Sequence, residues 1–240
     1  MAIGIERIVL TFIVQTILIL TFGYIGTNIM KRKKTKLNLY FSMFFFSLTI
    51  GNIINIIYVL IYAYGGTSLE LVVVIMHLIT NFFNFFGLAF LFVVNQIILK
   101  SAMVFTQKDI LRYFLIYGGI LIVGTILIQI FEGVTMSSSG YPKWSIYYFL
   151  FILLSVVGIA LFPILNTSYK IFNQLEGEEI RRRYLYFLLG IFGLSPLLVV
   201  IIFSNLLDIP IFRTITSILS ISMILWVILI YYGLRRQTTK

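Results

Sequence analysis

Seven stretches of mostly apolar residues divide this chain, at approximately 8–30, 37–62, 69–99, 113–131, 146–168, 184–204 and 214–234. Roughly 20 residues of helix cross a hydrocarbon core about 30 Å thick, so each stretch is long enough to span a bilayer. Lipid offers the backbone no hydrogen-bond partners, which leaves helices and closed barrels as spanning structures; these runs are too long and continuous for barrel strands. The expected fold is therefore all-α, an integral membrane seven-helix bundle forming one domain over residues 1–240. The third stretch is long enough to tilt or to project from the bilayer. Composition agrees, with 60% hydrophobic and 11% charged residues, against about 45–50% and about 25% in a soluble domain.

The charges between the stretches predict orientation. "KRKKTK" (31–36) follows the first; Lys100, Lys108 and Arg112 lie between the third and fourth. Lys170 and Arg181, Arg182 and Arg183 lie between the fifth and sixth, and Arg235, Arg236 and Lys240 close the chain. These alternate connections hold fifteen of the eighteen Lys and Arg residues, leaving Arg7, Lys143 and Arg213 for the other side. The positive-inside rule then puts the amino terminus outside and the carboxyl terminus in the cytoplasm of a cell membrane. The same clusters explain the net charge of +10 without nucleic acid, and anionic lipids at the cytoplasmic face are the expected partners. "MAIGIER" lacks the basic cluster of a signal peptide, so none is expected. Trp144, Tyr147 and Tyr148, beside the loop 132–145, read as an interfacial aromatic belt.

What the apolar stretches lack excludes several chemistries. All eight acidic residues fall at or beyond stretch ends, as do the lysines and arginines, which weighs against proton pumping and proton-coupled carriage. The last stretch has no lysine for a Schiff base, so covalent retinal is not expected. There are no cysteines and only one histidine, which argues against thiolate and paired-histidine metal sites. No enzyme activity and no cofactor are expected.

The polar residues inside the stretches are neutral. His77, Thr80, Asn81 and Asn84 fall at i, i+3, i+4 and i+7, on one helix face. Counted from the outer ends, His77 is level with Asn55 and Asn81 nearly level with Asn52. Gln15, Ser155, Ser195, Thr216, Ser217 and Ser220 also fall in outer halves, and Pro196 is expected to kink its helix there and turn a freed carbonyl inward. Asn95, Gln96 and Asn166 lie near the cytoplasmic boundary. Two readings compete. Such groups serve as interhelical hydrogen-bond glue, or they converge on an outward pocket that orients a small ligand. For the pocket, the candidate ligand-binding residues are Asn52, Asn55, His77, Asn81 and Asn84.

The connection "YKIFNQLEGEEIRRRYLYFLLG" (169–190) predicts that the fifth helix runs on as an amphipathic turn, that Gly177 breaks it, and that Glu178 and Glu179 occupy the next first turn. Arg181, Arg182 and Arg183 are either a solvated, ion-paired surface or the relay of a signalling elbow. An extended fifth helix, an acidic turn, a basic triplet and "YLYFLLGIFGLSP" resemble the seven-helix sensor modules at the amino terminus of many prokaryotic histidine kinases and in related stand-alone archaeal proteins. The resemblance covers roughly residues 144–236, together with helix count and orientation. In such kinases the last helix enters an output domain, whereas this chain stops at "RRQTTK"; the resemblance implies a sensor half acting through a separate cytoplasmic partner. "KRKKTKLNLYFSMFFFSLTIGN" is similar to the first inner loop and second helix of G-protein-coupled receptors, with Asn38 near the expected place. That family's acidic residue is replaced by Leu48, and its Asp-Arg-Tyr and Asn-Pro-x-x-Tyr motifs are absent. Opsins share the count and orientation but require the missing lysine.

The sequence-level expectation is a receptor or sensor for a small neutral or lipid-like ligand, signalling to a cytoplasmic partner, with a second copy of the chain as a further candidate partner. The alternatives are a facilitator of an uncharged solute and a structural scaffold. The absence of interrupted apolar segments and of an inverted repeat favours the receptor.

Overall fold

The computed structural model describes residues 5–32, 34–137 and 140–235. Lys33, Arg236 and Lys240 of the charge clusters lie outside the described residues. Helices dominate, and three of them begin at a side-chain cap, Thr35, Thr106 or Ser145. Thr35 accepts from the Asn38 amide at the start of α2 (Lys36–Gly65), after α1 (Ile5–Met30). The 3₁₀ turn Gly66–Leu69 leads into α3 (Glu70–Val104). A reciprocal capping box between Thr106 and Asp109 opens α4 (Gln107–Gln129), satisfying amides the helix leaves unpaired.

Strands β1 (Val134–Met136) and β2 (Pro142–Trp144) then form an antiparallel hairpin with Val134 opposite Trp144. The Gln129 side chain ties α4 to it, donating to the Val134 carbonyl at 3.1 Å and accepting from the Val134 amide at 2.9 Å. Ser145 caps α5 (Ile146–Leu153), which passes through a π-helical stretch, Leu154–Leu161, into α6 (Phe162–Gln174). The chain turns at Gly177, φ 91°, into α7 (Glu178–Leu207), with Glu178 and Glu179 in the first turn. The last two helices are α8 (Pro210–Ser220) and α9 (Met223–Gly233).

By length and hydropathy, six helical segments among the described residues can cross a membrane. One of them, Lys36–Lys100, has 65 residues and contains the turn Gly66–Leu69, so it is α2 folded back along α3. The buried core is built from Phe, Ile, Leu and Val, including Phe41, Phe44, Phe45, Leu91 and Phe187. The outside is equally apolar, with Leu20, Leu71, Leu115, Leu154 and Phe162 exposed. A bundle that shows Leu and Phe on its surface has no need of water there, which fits an all-helical membrane protein. Close helix contact comes from small residues: a Cβ on Gly190 of α7 would lie 2.6 Å from the Trp226 carbonyl of α9.

Three local expectations are corrected. The last apolar stretch is interrupted at Ile221–Ser222. There the amides of Ile221, Ser222 and Ile224 bond three residues back, to Ile218, Leu219 and Ile221, instead of four. The Ser220 hydroxyl donates to the Ser217 carbonyl at 2.6 Å and that of Ser222 to Leu219 at 2.7 Å, so serine side chains compete for the carbonyls the helix would use. Trp144 and Tyr148 are not a lipid-facing belt. They are 2% and 0% exposed because the hairpin folds over the bundle end, and only Tyr147, 71% exposed, faces outward. Pro196 lies on the exposed face of α7, as does Phe192, whose carbonyl it deprives of a partner; Pro196 turns nothing toward the interior.

Candidate functional site

The stripe on α3 selects the site. His77, Thr80, Asn81 and Asn84 all line one cavity of about 210 Å³ beneath the hairpin. Asn52 and Asn55 enter from α2 and Gln15 from α1. The far wall is α8, through Arg213, Thr216, Ser217 and Ser220, with Ser204 and Asn205 of α7 beside it. Tyr141 and Trp144 of the hairpin form the roof, and Leu18, Phe22, Leu48, Phe85 and Leu198 supply apolar wall. All five predicted ligand-binding asparagines and histidine thus meet in one hollow. Of the other outer polar residues, Ser155 and Ser195 stay outside it, and Ser195 donates to the Ile191 carbonyl of its own helix at 2.8 Å. At the opposite end of the bundle, polar groups make helix-to-helix bonds. Asn95 Nδ2 donates to the Ile164 carbonyl at 3.2 Å and to Ser168 Oγ at 2.7 Å, tying α3 to α6, while Asn166 is exposed.

His77 is the knot of the roof. Trp144 Nε1, which can only donate, lies 3.0 Å from its Nε2, and Asn81 Nδ2 lies 3.1 Å from the same atom. Nε2 is therefore the acceptor, which places the ring proton on Nδ1, 3.3 Å from the Tyr58 hydroxyl. Both ring nitrogens face protein partners, so His77 binds α2, α3 and the hairpin together and shapes the wall rather than presenting a free nitrogen. Asn81 also reaches the Tyr148 hydroxyl at 3.5 Å.

No sequence pattern announces the latch at the cavity mouth. Arg213, 5% exposed, pairs with Asp208 at 3.1 Å, donates to the Pro142 carbonyl at 2.9 Å and stacks over the Tyr141 ring. A charge read as lying at a stretch end is thus folded inward, holding α8 to the roof. Only the adjacency of "DIPIFR" (208–213) to the loop end hints at it.

Three buried oxygens on the lining have no hydrogen-bond partner: Gln15 Oε1, Thr80 Oγ1 and Asn84 Oδ1. Buried polar atoms are almost always satisfied; these three are packed against protein, and Asn95 Oδ1 and Gln96 Oε1 are further exceptions at the opposite end of the bundle. Gly51 makes room for one of them, since a Cβ there would collide with Asn84 Oδ1. The hollow is smaller than the ~300–1,000 Å³ of drug-sized pockets and far larger than one water needs, which limits an occupant to a small molecule.

No protein-family model, curated protein or solved structure matches this chain. The functional reading therefore rests on this geometry. Among the described residues, no three His, Cys, Asp or Glu side chains come together in a metal-binding group.

The elbow residues sit at the other end. Arg183 pairs with Glu179 one turn earlier, Arg181 stacks over the Phe172 ring of α6 at 4.7 Å, and Arg182 is exposed. Arg181 thus bridges α6 and α7 across Gly177. A second hollow, about 570 Å³, opens between α3 and α4 along Ile75, Phe82, Ile122 and Ile126, with Thr125 and Gln129 as its polar groups. It is larger but lacks the convergent polar atoms, so it is not the candidate site.

Proposed function

We propose that this chain is a seven-crossing plasma-membrane receptor, amino terminus outside, that senses a small uncharged ligand in the cavity beneath its hairpin. The seven crossings are α1, α2, α3, α4, the α5–α6 unit, α7 and the α8–α9 unit. Basic residues then cluster on the cytoplasmic side, where anionic lipid holds them. The carrying observation is the meeting of Gln15, Asn52, Asn55, Thr80, Asn81 and Asn84, from three helices, around one hollow beneath the hairpin. Interhelical glue ties helices together, as Asn95 does through its Nδ2 although its Oδ1 has no partner; among the described residues no side-chain hydrogen bond of Gln15, Asn55, Thr80 or Asn84 ties one helix to another. Ligand contact shifts α7 and α8 against α3, and the elbow through Arg181–Arg183 presents that shift to a separate cytoplasmic partner.

Thermal-shift screening of the nanodisc-reconstituted protein against small neutral solutes tests the reading. A ligand that stabilises wild type and has no effect on Asn84→Leu and Thr80→Val supports it. An equal response in all three overturns it.

The break between α8 and α9 favours a second reading, a facilitator of an uncharged solute. Interrupted helices beside a midplane cavity are how transporters build sites whose flanking segments rock, and Ser217, Ser220 and Met223 bring this break to the cavity wall. Uptake of labelled neutral solutes by proteoliposomes, well above empty vesicles, selects it over the receptor.

A further inference from the structure

Several donors around the cavity are already used. The hydroxyls of Ser204, Thr216, Ser217 and Ser220 donate to carbonyls of their own helices at 2.6–2.9 Å. Asn52 Nδ2 donates to the Leu48 carbonyl at 2.7 Å and Asn205 Nδ2 to the Ile201 carbonyl at 3.1 Å. Trp144 and Asn81 are committed to His77. Each hydroxyl that donates backwards keeps its lone pairs for the cavity. With the side-chain amides of Gln15, Asn55 and Asn84, for which the structure shows no hydrogen bond, they give the lining acceptors and donors together. The lining is also without net charge, since its one charged side chain, Arg213, is matched by Asp208.

We infer that the ligand is a small uncharged polyol, whose hydroxyls donate to those lone pairs and accept from the side-chain amides of Gln15, Asn55 and Asn84. A carboxylate or phosphate brings a net negative charge, and the lining's one cation, Arg213, is already paired with Asp208. An ammonium ion meets no unpaired carboxylate in the lining, and it meets the Arg213 guanidinium. An ether or ketone only accepts, so it offers no hydrogen to the hydroxyl oxygens of the lining and leaves them unsatisfied. Apolar Leu18, Phe22 and Leu48 pack against the ligand's C–H faces. The inference rests on the cavity being a ligand site, as proposed above.

A matched ligand series in nanodiscs tests it. The chain has two tryptophans, so Trp226→Phe leaves Trp144, in the cavity roof, as the sole reporter. Glycerol and erythritol are titrated beside 1,2-dimethoxyethane, lactate and ethylammonium. Saturable change with the polyols alone, weakened about tenfold or more by Thr80→Val and by Asn84→Leu, is the expected result. Saturation by the ether, lactate or ammonium that these variants abolish overturns the polyol assignment and leaves the cavity a ligand site. Failure of the series and of the neutral-solute screen alike overturns both.

Discussion

Trp144 Nε1, at the end of β2, donates to Nε2 of His77 on α3 across 3.0 Å. Two side chains 67 residues apart in sequence thereby fix the hairpin over the cavity. Trp144→Phe keeps most of the ring and removes the donor, while Asn81 still faces the same nitrogen. Removing one partner of a buried bond costs about 1–3 kcal/mol, and the remaining Asn81 contact puts this variant near the lower end. The expected result is a fall of a few degrees in Tm, about 2–4 °C per kcal/mol for a chain of this size. Differential scanning fluorimetry in nanodiscs measures it, and an unchanged Tm removes His77 as the roof's anchor.

Gly51→Ala tests the space the cavity needs. The added Cβ falls on Asn84 Oδ1, so Asn84 must swing away or α2 must separate from α3. Overpacking of this kind costs about 1–3 kcal/mol. Gly51→Ala with Asn84→Ala is expected to recover most of that loss, because the two changes share one contact. A thermodynamic cycle from unfolding midpoints reads the coupling; additive losses sink the account.

How much of this was legible beforehand follows from periodicity. The stripe at 77, 80, 81 and 84 is written in 3.6-residue spacing, and equal depth on two antiparallel neighbours brought Asn52 and Asn55 to it. Helix limits were less legible: α4 begins at Gln107, six residues ahead of the apolar stretch at 113, because the Thr106–Asp109 capping box starts the helix in polar sequence. The π-helical passage through Leu154–Leu161 and the break at Ile221–Ser222 were not legible, since Gly158 in the first is a lone glycine in a continuous apolar run and the second carries neither Gly nor Pro. Arg213 was hidden for another reason: its burial depends on where the hairpin folds, a tertiary fact that charge counting treats as loop. Trp144 failed likewise, because an aromatic beside a loop is as compatible with a roof as with a lipid belt.

The serines at the break give the next prediction. Ser220→Ala with Ser222→Ala removes the hydroxyls that bond to Ser217 and Leu219. The chain is then expected to continue as one helix from α8 into α9, with slower amide exchange over residues 219–224. Hydrogen–deuterium exchange by mass spectrometry resolves that segment. If exchange there does not slow, the interruption is set by packing against α7 instead.

At the mouth, Arg213→Ala strands the Asp208 carboxylate and releases the Pro142 carbonyl. Breaking a buried pair from one side costs about 3–5 kcal/mol, and the partial exposure of Asp208 places the loss toward the lower figure. Arg213→Met with Asp208→Asn removes both charges at similar volume and is expected to regain much of it. Denaturant midpoints for the single and double variants separate charge pairing from simple loss of packing; equal losses argue for packing alone.

Two asparagines on the same helix, Asn84 and Asn95, distinguish ligand site from glue most directly. Asn95 spends its amide on α6, at 2.7 Å to Ser168 and 3.2 Å to the Ile164 carbonyl. Asn84 Oδ1 is buried and spends nothing. Asn95→Leu therefore removes an interhelical bond of about 0.6–2 kcal/mol and is expected to lower Tm without a ligand present. Asn84→Leu removes an unsatisfied atom and is expected to leave Tm unchanged or raise it, because no bond is lost and a desolvation penalty disappears. The order reverses once ligand is added: Asn95→Leu keeps its ligand-induced shift, and Asn84→Leu loses it. If Asn84→Leu proves the less stable of the two without ligand, its side chain is structural glue after all, and the cavity has no claim to a ligand.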